Sequence, residues 1–191
     1  MVKFLGPQRL RLFVAYRLPQ EIVERVVAWQ RQTLEDTTGV RAPPAESLHI
    51  TMVFLGSQPA AAVDGIGDTV RRRVEEARRP SFQVWRYRET PRVGMLALTE
   101  LALPGDAYDG RANELAGGLM LDFEAAGLYE RENRDWKPHI TVARFGTQPR
   151  LRPAVPELGS FSPLDVALYE SKLSPAGSKY TVLASTPFTV G

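Results

Sequence analysis

The chain has 191 residues, a formal net charge of +2, 43% apolar residues and no cysteine. That composition belongs to a globular protein with enough chain to bury a core. It excludes disulfides, thiolate chemistry and cysteine-ligated metals. The sequence pI of about 9.0 comes mostly from arginine, whose planar fork suits phosphate, so composition alone hints at an anionic partner.

The first residues, Met1 to Pro7, are followed by Arg9 and Arg11 before any useful apolar run, which does not resemble a cleaved signal peptide. No stretch approaches the roughly 20 apolar residues that a membrane helix needs. The expectation is a cytoplasmic protein without membrane contact.

Arg9 to Leu18 alternates as a strand, with Leu10, Leu12, Val14, Tyr16 and Leu18 predicted as its core face and Arg9, Arg11, Phe13, Ala15 and Arg17 as its polar face. Pro19 suits the first turn of a helix with the stripe Ile22, Val23, Val26 and Val27, and Gly39 is the predicted stop. After Pro43-Pro44 a strand is predicted over Leu48 to Leu55. A second helix is expected from about Pro59, because Val63, Ile66, Val70, Val74 and Ala77 recur at helical steps. Two strands, Phe82 to Arg88 and Val93 to Thr99, form a predicted hairpin around Pro91. The third helix is placed at Tyr108 to Ala126, burying Leu115, Leu119 and Phe123, with Gly127 ending it. A strand over His139 to Phe145 follows. Two more strands, Leu164 to Leu173 and Lys179 to Pro187, flank the turn Ser174-Pro175-Ala176-Gly177-Ser178. No low-complexity linker divides the chain, so residues 1–191 are expected to form a single domain. The order strand, helix, strand occurs twice. It predicts an α+β fold of two similar lobes, mainly antiparallel, facing each other across a cleft.

The chain contains two histidines, and both open the same tripeptide, His49-Ile50-Thr51 and His139-Ile140-Thr141. In a strand, residues i and i+2 share a face, so each copy presents an imidazole and a hydroxyl together and turns its Ile the other way. A Ser-His-Asp site would leave one copy unexplained, and neither HExxH spacing nor a GxxxxGK[ST] phosphate loop is present. Two His and two Thr suit metal-free transfer at phosphorus. One neutral imidazole takes a proton from water, the other gives one to the leaving oxygen, and the hydroxyls hold the non-bridging oxygens. The residues alone leave open which histidine has which role.

These segments, Ser47-Leu48-His49-Ile50-Thr51-Met52-Val53-Phe54-Leu55-Gly56 and Lys137-Pro138-His139-Ile140-Thr141-Val142-Ala143-Arg144, resemble the paired HxTx motifs of the two-histidine (2H) phosphoesterase superfamily. Arg11-Leu12-Phe13-Val14-Ala15, Pro44-Ala45-Glu46 and Leu168-Tyr169-Glu170-Ser171-Lys172-Leu173-Ser174-Pro175 extend the likeness over nearly the whole chain. Within the superfamily it is similar to the RNA 2′,3′-cyclic phosphodiesterases, historically the 2′-5′ RNA ligase family.

The resemblance implies a bilobal fold with one motif per lobe at a central cleft, no cofactor or metal, and hydrolysis of RNA terminal 2′,3′-cyclic phosphate to a 2′-phosphomonoester. It implies His49 as proton donor to the 3′-oxygen, His139 as proton acceptor from water, and Thr51, Thr141 and Arg144 as phosphate ligands. Strict alternation would turn Arg144 away from His139 and Thr141 unless the strand bulges or ends there. Phe13, beside Arg11, is a candidate for base stacking. Trp136-Lys137 stands where the family more often has an aromatic-Arg pair, which keeps the charge and loses the fork.

The expected partners are RNA 3′ ends or nucleotides bearing the cyclic phosphate, acted on by a monomer. The alternatives are a phosphodiesterase of 2′-5′ oligonucleotides or other cyclic nucleotides, 2′-5′ ligation by the reverse reaction, or a nucleotide-binding module without turnover.

Overall fold

The computed structural model describes residues 8–102, 110–132, 135–174 and 177–189. Met1 to Pro7, Tyr108 at the predicted start of the third helix, and Pro175-Ala176 of the predicted turn lie outside the described residues. The fold is α+β. Eight strands make an antiparallel sheet: β1 (Arg9–Arg17), β2 (Val40–Arg41), β3 (His49–Pro59), β4 (Phe82–Glu89), β5 (Val93–Glu100), β6 (His139–Phe145), β7 (Asp165–Ser174) and β8 (Gly177–Pro187). Three helices accompany it among the described residues, α1 (Gln20–Leu34), α2 (Val63–Glu76) and α3 (Arg111–Ala125). Among the described residues, no helix is long and apolar enough to cross a membrane.

The sheet runs in the order β4-β5-β6-β3-β1-β7-β8, with β2 pairing to β6 off this path. Its two halves meet where β3 pairs with β6 through the Ile50–Ile140 partners. The predicted two-lobed arrangement is therefore present as one continuous sheet that narrows between the motif strands. The chain does not keep each lobe to its own half of the sequence. The helix α1, which follows β1, packs against β6, whereas α2 packs against α3, β7 and β8, and α3 reaches β3.

Apolar spacing explains each helix. In α1 the buried side is Ile22, Val26, Trp29, Gln30 and Leu34. The helix ends at Leu34, ahead of the predicted stop, where Thr37 N–H turns back to the Leu34 carbonyl, and Gly39 instead takes φ +77° in the turn before β2. In α2 Ile66, Val70 and Val74 are buried as the spacing predicts. The helix begins after a 3-10 turn at Ala60–Ala62, because β3 continues to Pro59, beyond the predicted end at Leu55. In α3 Leu115, Leu119 and Phe123 face the core. Gly127, with φ +69°, closes it as predicted: Leu128 N–H donates to the Phe123 carbonyl at 2.8 Å and Gly127 N–H to that of Glu124 at 3.0 Å.

The strand β1 lies between β3 and β7, and Leu12 to Tyr16 are buried on both faces. Phe13 and Ala15 therefore do not form the predicted polar face. With Ala167 and Tyr169 they make a small second core beneath the site. On the main-core side, the Tyr16 hydroxyl is buried without a hydrogen-bond partner among the described residues, and burial, assisted by the nearby Glu100 carboxylate, pushes its pKa well above the ordinary value. Replacing Tyr16 by Phe removes that unpaired group and keeps the ring, so it should stabilise the fold by about 1 kcal/mol. Urea unfolding measures this, and equal or lower stability would mean the hydroxyl is satisfied.

Candidate active site

The Ile50–Ile140 pairing is the geometric centre of the site. In an antiparallel pair the neighbours of matched residues are matched in reverse order. His49 then comes opposite Thr141, and Thr51 opposite His139. The two Ile side chains, both fully buried, anchor the strands on the core face, and the two His and two Thr emerge together on the other. An approximate two-fold relation sets the imidazoles on a diagonal of this four-residue patch, with a hydroxyl beside each.

The likeness between the strands goes beyond the tripeptide. From His49 to Leu55 the burial order is half-buried, buried, half-buried, buried, buried, exposed, buried, and His139 to Phe145 repeats it. Two consecutive buried positions in each come from a β-bulge. Thr51 pairs with Ala15 and Val53 with Val14, leaving Met52 as the extra residue. Thr141 pairs with Met95 and Ala143 with Gly94, leaving Val142 as the extra residue. The bulge in β6 resolves the parity of Arg144, returning its side chain to the side of Thr141, and both line the same cavity.

The bulge has its own support. Gln30 of α1, only 3% exposed, donates from its side-chain amide to the Val142 carbonyl at 2.9 Å and to that of Pro43 at 3.3 Å. A buried amide aimed at the extra residue of a bulge supplies the partner that the interrupted ladder cannot. Trp136 plays a related part, donating from Nε1 to the Thr51 carbonyl at 2.9 Å and so tying the segment before β6 to β3. Neither role is visible in periodicity, because each depends on a contact between distant segments.

His49 is enclosed by aromatic rings. Its centroid is 4.9 Å from that of Phe13, 5.8 Å from Tyr169 and 5.3 Å from Tyr180. Phe13 is stacked on Tyr169 at 4.8 Å with 4° between the planes, and is 3% exposed. The geometry thus gives Phe13 a packing role toward His49.

The His49 Nε2 lies 3.0 Å from Thr51 Oγ1. Burial pushes the His49 pKa down to about 4, partly offset by the Ser47 backbone and reinforced by His139 and Arg144. Although the Ser47 backbone approaches it, Nδ1 closes no hydrogen bond of normal geometry. His139 Nδ1 has such a bond, 2.9 Å from the Lys137 carbonyl, at the same offset of two residues. A proton held at Nδ1 toward that carbonyl would leave Nε2 as the unprotonated nitrogen.

A cavity of about 670 Å³ lies over this patch, within the range of small-molecule sites. Its wall includes His49, Thr51, Thr141, Arg144 and Phe13, together with the cations Arg11, Arg41 and Lys179, and Glu46. His139 does not line it, although its charge acts on His49. Lys137 and Trp136 do not line it either. Phe54, at the same offset from His49 as Arg144 from His139, is 41% exposed, and the Arg11 guanidinium sits 4.6 Å from its ring centroid. That shared offset is the available sequence signal for Phe54.

No protein-family model matches the chain. Curated relatives do. The RNA 2′,3′-cyclic phosphodiesterase of Thermus thermophilus is 31% identical over 190 residues, 91% of this chain and 88% of its own. That of Escherichia coli is 26% identical over 174 residues, 91% of this chain and 93% of its own. Among solved structures, Escherichia coli LigT in apo form matches with a TM-score of 0.74 at 25% identity, covering 95% of this chain and 99% of its own.

Proposed function

Since the chain belongs to the RNA 2′,3′-cyclic phosphodiesterase family, we propose that it hydrolyses the 2′,3′-cyclic phosphate at RNA 3′ ends to a 2′-phosphomonoester by metal-independent acid–base catalysis. The observation that carries this reading is the antiparallel register at Ile50–Ile140, which puts two imidazoles and two hydroxyls on one face.

In the proposed reaction a water oxygen attacks phosphorus as His139 Nε2 removes its proton. The P–O3′ bond breaks, and His49 delivers a proton to the departing 3′-oxygen, leaving a 3′-hydroxyl and a 2′-phosphate. Thr51 and Thr141 donate hydrogen bonds to the non-bridging oxygens, and the Arg144 guanidinium offsets their growing charge. A 5′-hydroxyl in place of water would give a 2′-5′ linkage with the same proton transfers.

One observation favours the opposite order of histidines. With a pKa of about 4, His49 is neutral in the free protein at pH 7, the state of a base. As a donor it must first take up a proton, which an entering phosphate anion promotes by adding a favourable charge beside the imidazole.

The test is turnover of a short RNA ending in 2′,3′-cyclic phosphate, with and without excess EDTA. The expected result is a 2′-phosphate product at the same rate in both. A 3′-phosphate product, or loss of activity in EDTA, would overturn the proposal. Binding without turnover would leave a nucleotide-binding module.

A further inference from the structure

The strand β4 ends the sheet on the β6 side, and its register carries the motif rows outward. His139 pairs with Ala97 and Ala97 with Arg86. Thr141 pairs with Met95 and Met95 with Arg88. Residues paired across strands point to the same face, so Arg86 and Arg88 share the face of His139 and Thr141. Their backbones stand two strand spacings, about 10 Å, from β6. The floor between is low, formed by the half-buried Ala97 and Met95.

Trp85 is the extra residue of a bulge between Val84 and Arg86. It is 61% exposed, and the Arg86 guanidinium lies 4.0 Å from its ring centroid. On the opposite face of β4, Tyr87 packs against Trp29 of α1 at 6.2 Å and lies against Gly94, where a Cβ would clash with its ring. That side is held in the core. Among the described residues, neither Arg86 nor Arg88 has a carboxylate partner.

We propose that Trp85, Arg86 and Arg88 form a binding track for the single-stranded RNA that precedes the terminal phosphate, an inference resting on the function proposed above. The cavity wall contains His49, Thr51, Thr141 and Arg144 but not His139. The His139 side of the reacting phosphate therefore opens away from the cavity, along the row that ends at Arg86. The guanidinium groups meet backbone phosphates, and the Arg86–Trp85 stack offers a surface to a base. The arginines and the bulge alone would protect an exposed edge strand from pairing with another chain, but an indole 61% exposed at that bulge adds nothing to such protection.

The experiment compares the wild type with a Trp85→Ala/Arg86→Ala/Arg88→Ala variant on two substrates, a mononucleoside 2′,3′-cyclic phosphate and an RNA hexamer with the same terminus. The expected KM for the hexamer rises about tenfold or more in the variant, while its kcat and both constants for the mononucleotide stay unchanged. Unchanged mononucleotide turnover also reports an intact fold. Added salt should weaken the wild type's preference for the hexamer and barely affect the variant. Hexamer kinetics unaltered by the substitutions, or altered equally for both substrates, would overturn the track and leave the phosphodiesterase reading standing. No wild-type turnover of either substrate would overturn both.

Discussion

Replacing either His49 or His139 by Ala should lower turnover of an RNA 2′,3′-cyclic phosphate by about 10²–10⁴-fold. The double variant should lose much less than the product of the two, because the proton transfers serve one displacement. The loss should fall mainly on kcat, since the proposed phosphate ligands Thr51, Thr141 and Arg144 remain on their strands. The two variants should also differ in how they respond to the leaving group. A nitrophenyl phosphodiester expels an anion that needs no proton, so a variant lacking only the acid recovers much of its rate on that substrate. A variant lacking the base does not. Recovery in His49→Ala supports His49 as donor. Recovery in His139→Ala supports the reverse order, which the depressed pKa of His49 favours. Near-normal turnover of the RNA by both variants would sink the two-histidine mechanism altogether.

Parts of this site are legible in local spacing, and parts are created only when strands meet. The limits of β6, His139 to Phe145, coincide with those read from the sequence, because a short alternating run between turn residues has few other ways to bury Ile140 and Val142. The buried stripe of α2 is legible for the same reason. The orientation of Arg144 is not, since alternation assumes an uninterrupted ladder and the Val142 bulge breaks it. The bulge's Val142 carbonyl is bonded by Gln30, which lies more than a hundred residues away in sequence and reads locally as one polar residue in a helix. Phe13 misleads because alternation does not show what packs on each face of a strand, and its ring is stacked on Tyr169 and set beside His49. The crossing of α1 to β6 is likewise a property of topology, which apolar periodicity does not encode.

The stability of the folded chain should fall as pH is lowered through the range in which an ordinary histidine charges, and His49 should account for a large part of that fall. Its folded pKa of about 4 lies below the unfolded value of about 6.5. At pH 7 both states are neutral there, and the fold has its full stability with respect to this group. Between about pH 6.5 and 4 the unfolded chain takes up a proton that the folded site refuses, so stability is lost progressively, by up to about 3 kcal/mol. The ring is half-buried, with an edge toward the cavity, and solvent there reduces the effect below that ceiling. A His49→Gln variant lacks the titrating group, so its urea midpoint should change less between pH 7 and 4 than that of the wild type. Equal pH dependence would show that His49 is not held neutral by its surroundings. The same property bears on catalysis. In an NMR titration the His49 ring of the free protein should stay neutral to near pH 4, and adding inorganic phosphate should raise its pKa by placing an anion where Arg144 and His139 now repel the imidazolium. A large rise makes His49 a donor armed by its substrate, able to protonate the 3′-oxygen only when phosphate is present. No rise would leave the imidazole neutral throughout the working range, and a neutral imidazole beside an attacking water can act only as the base.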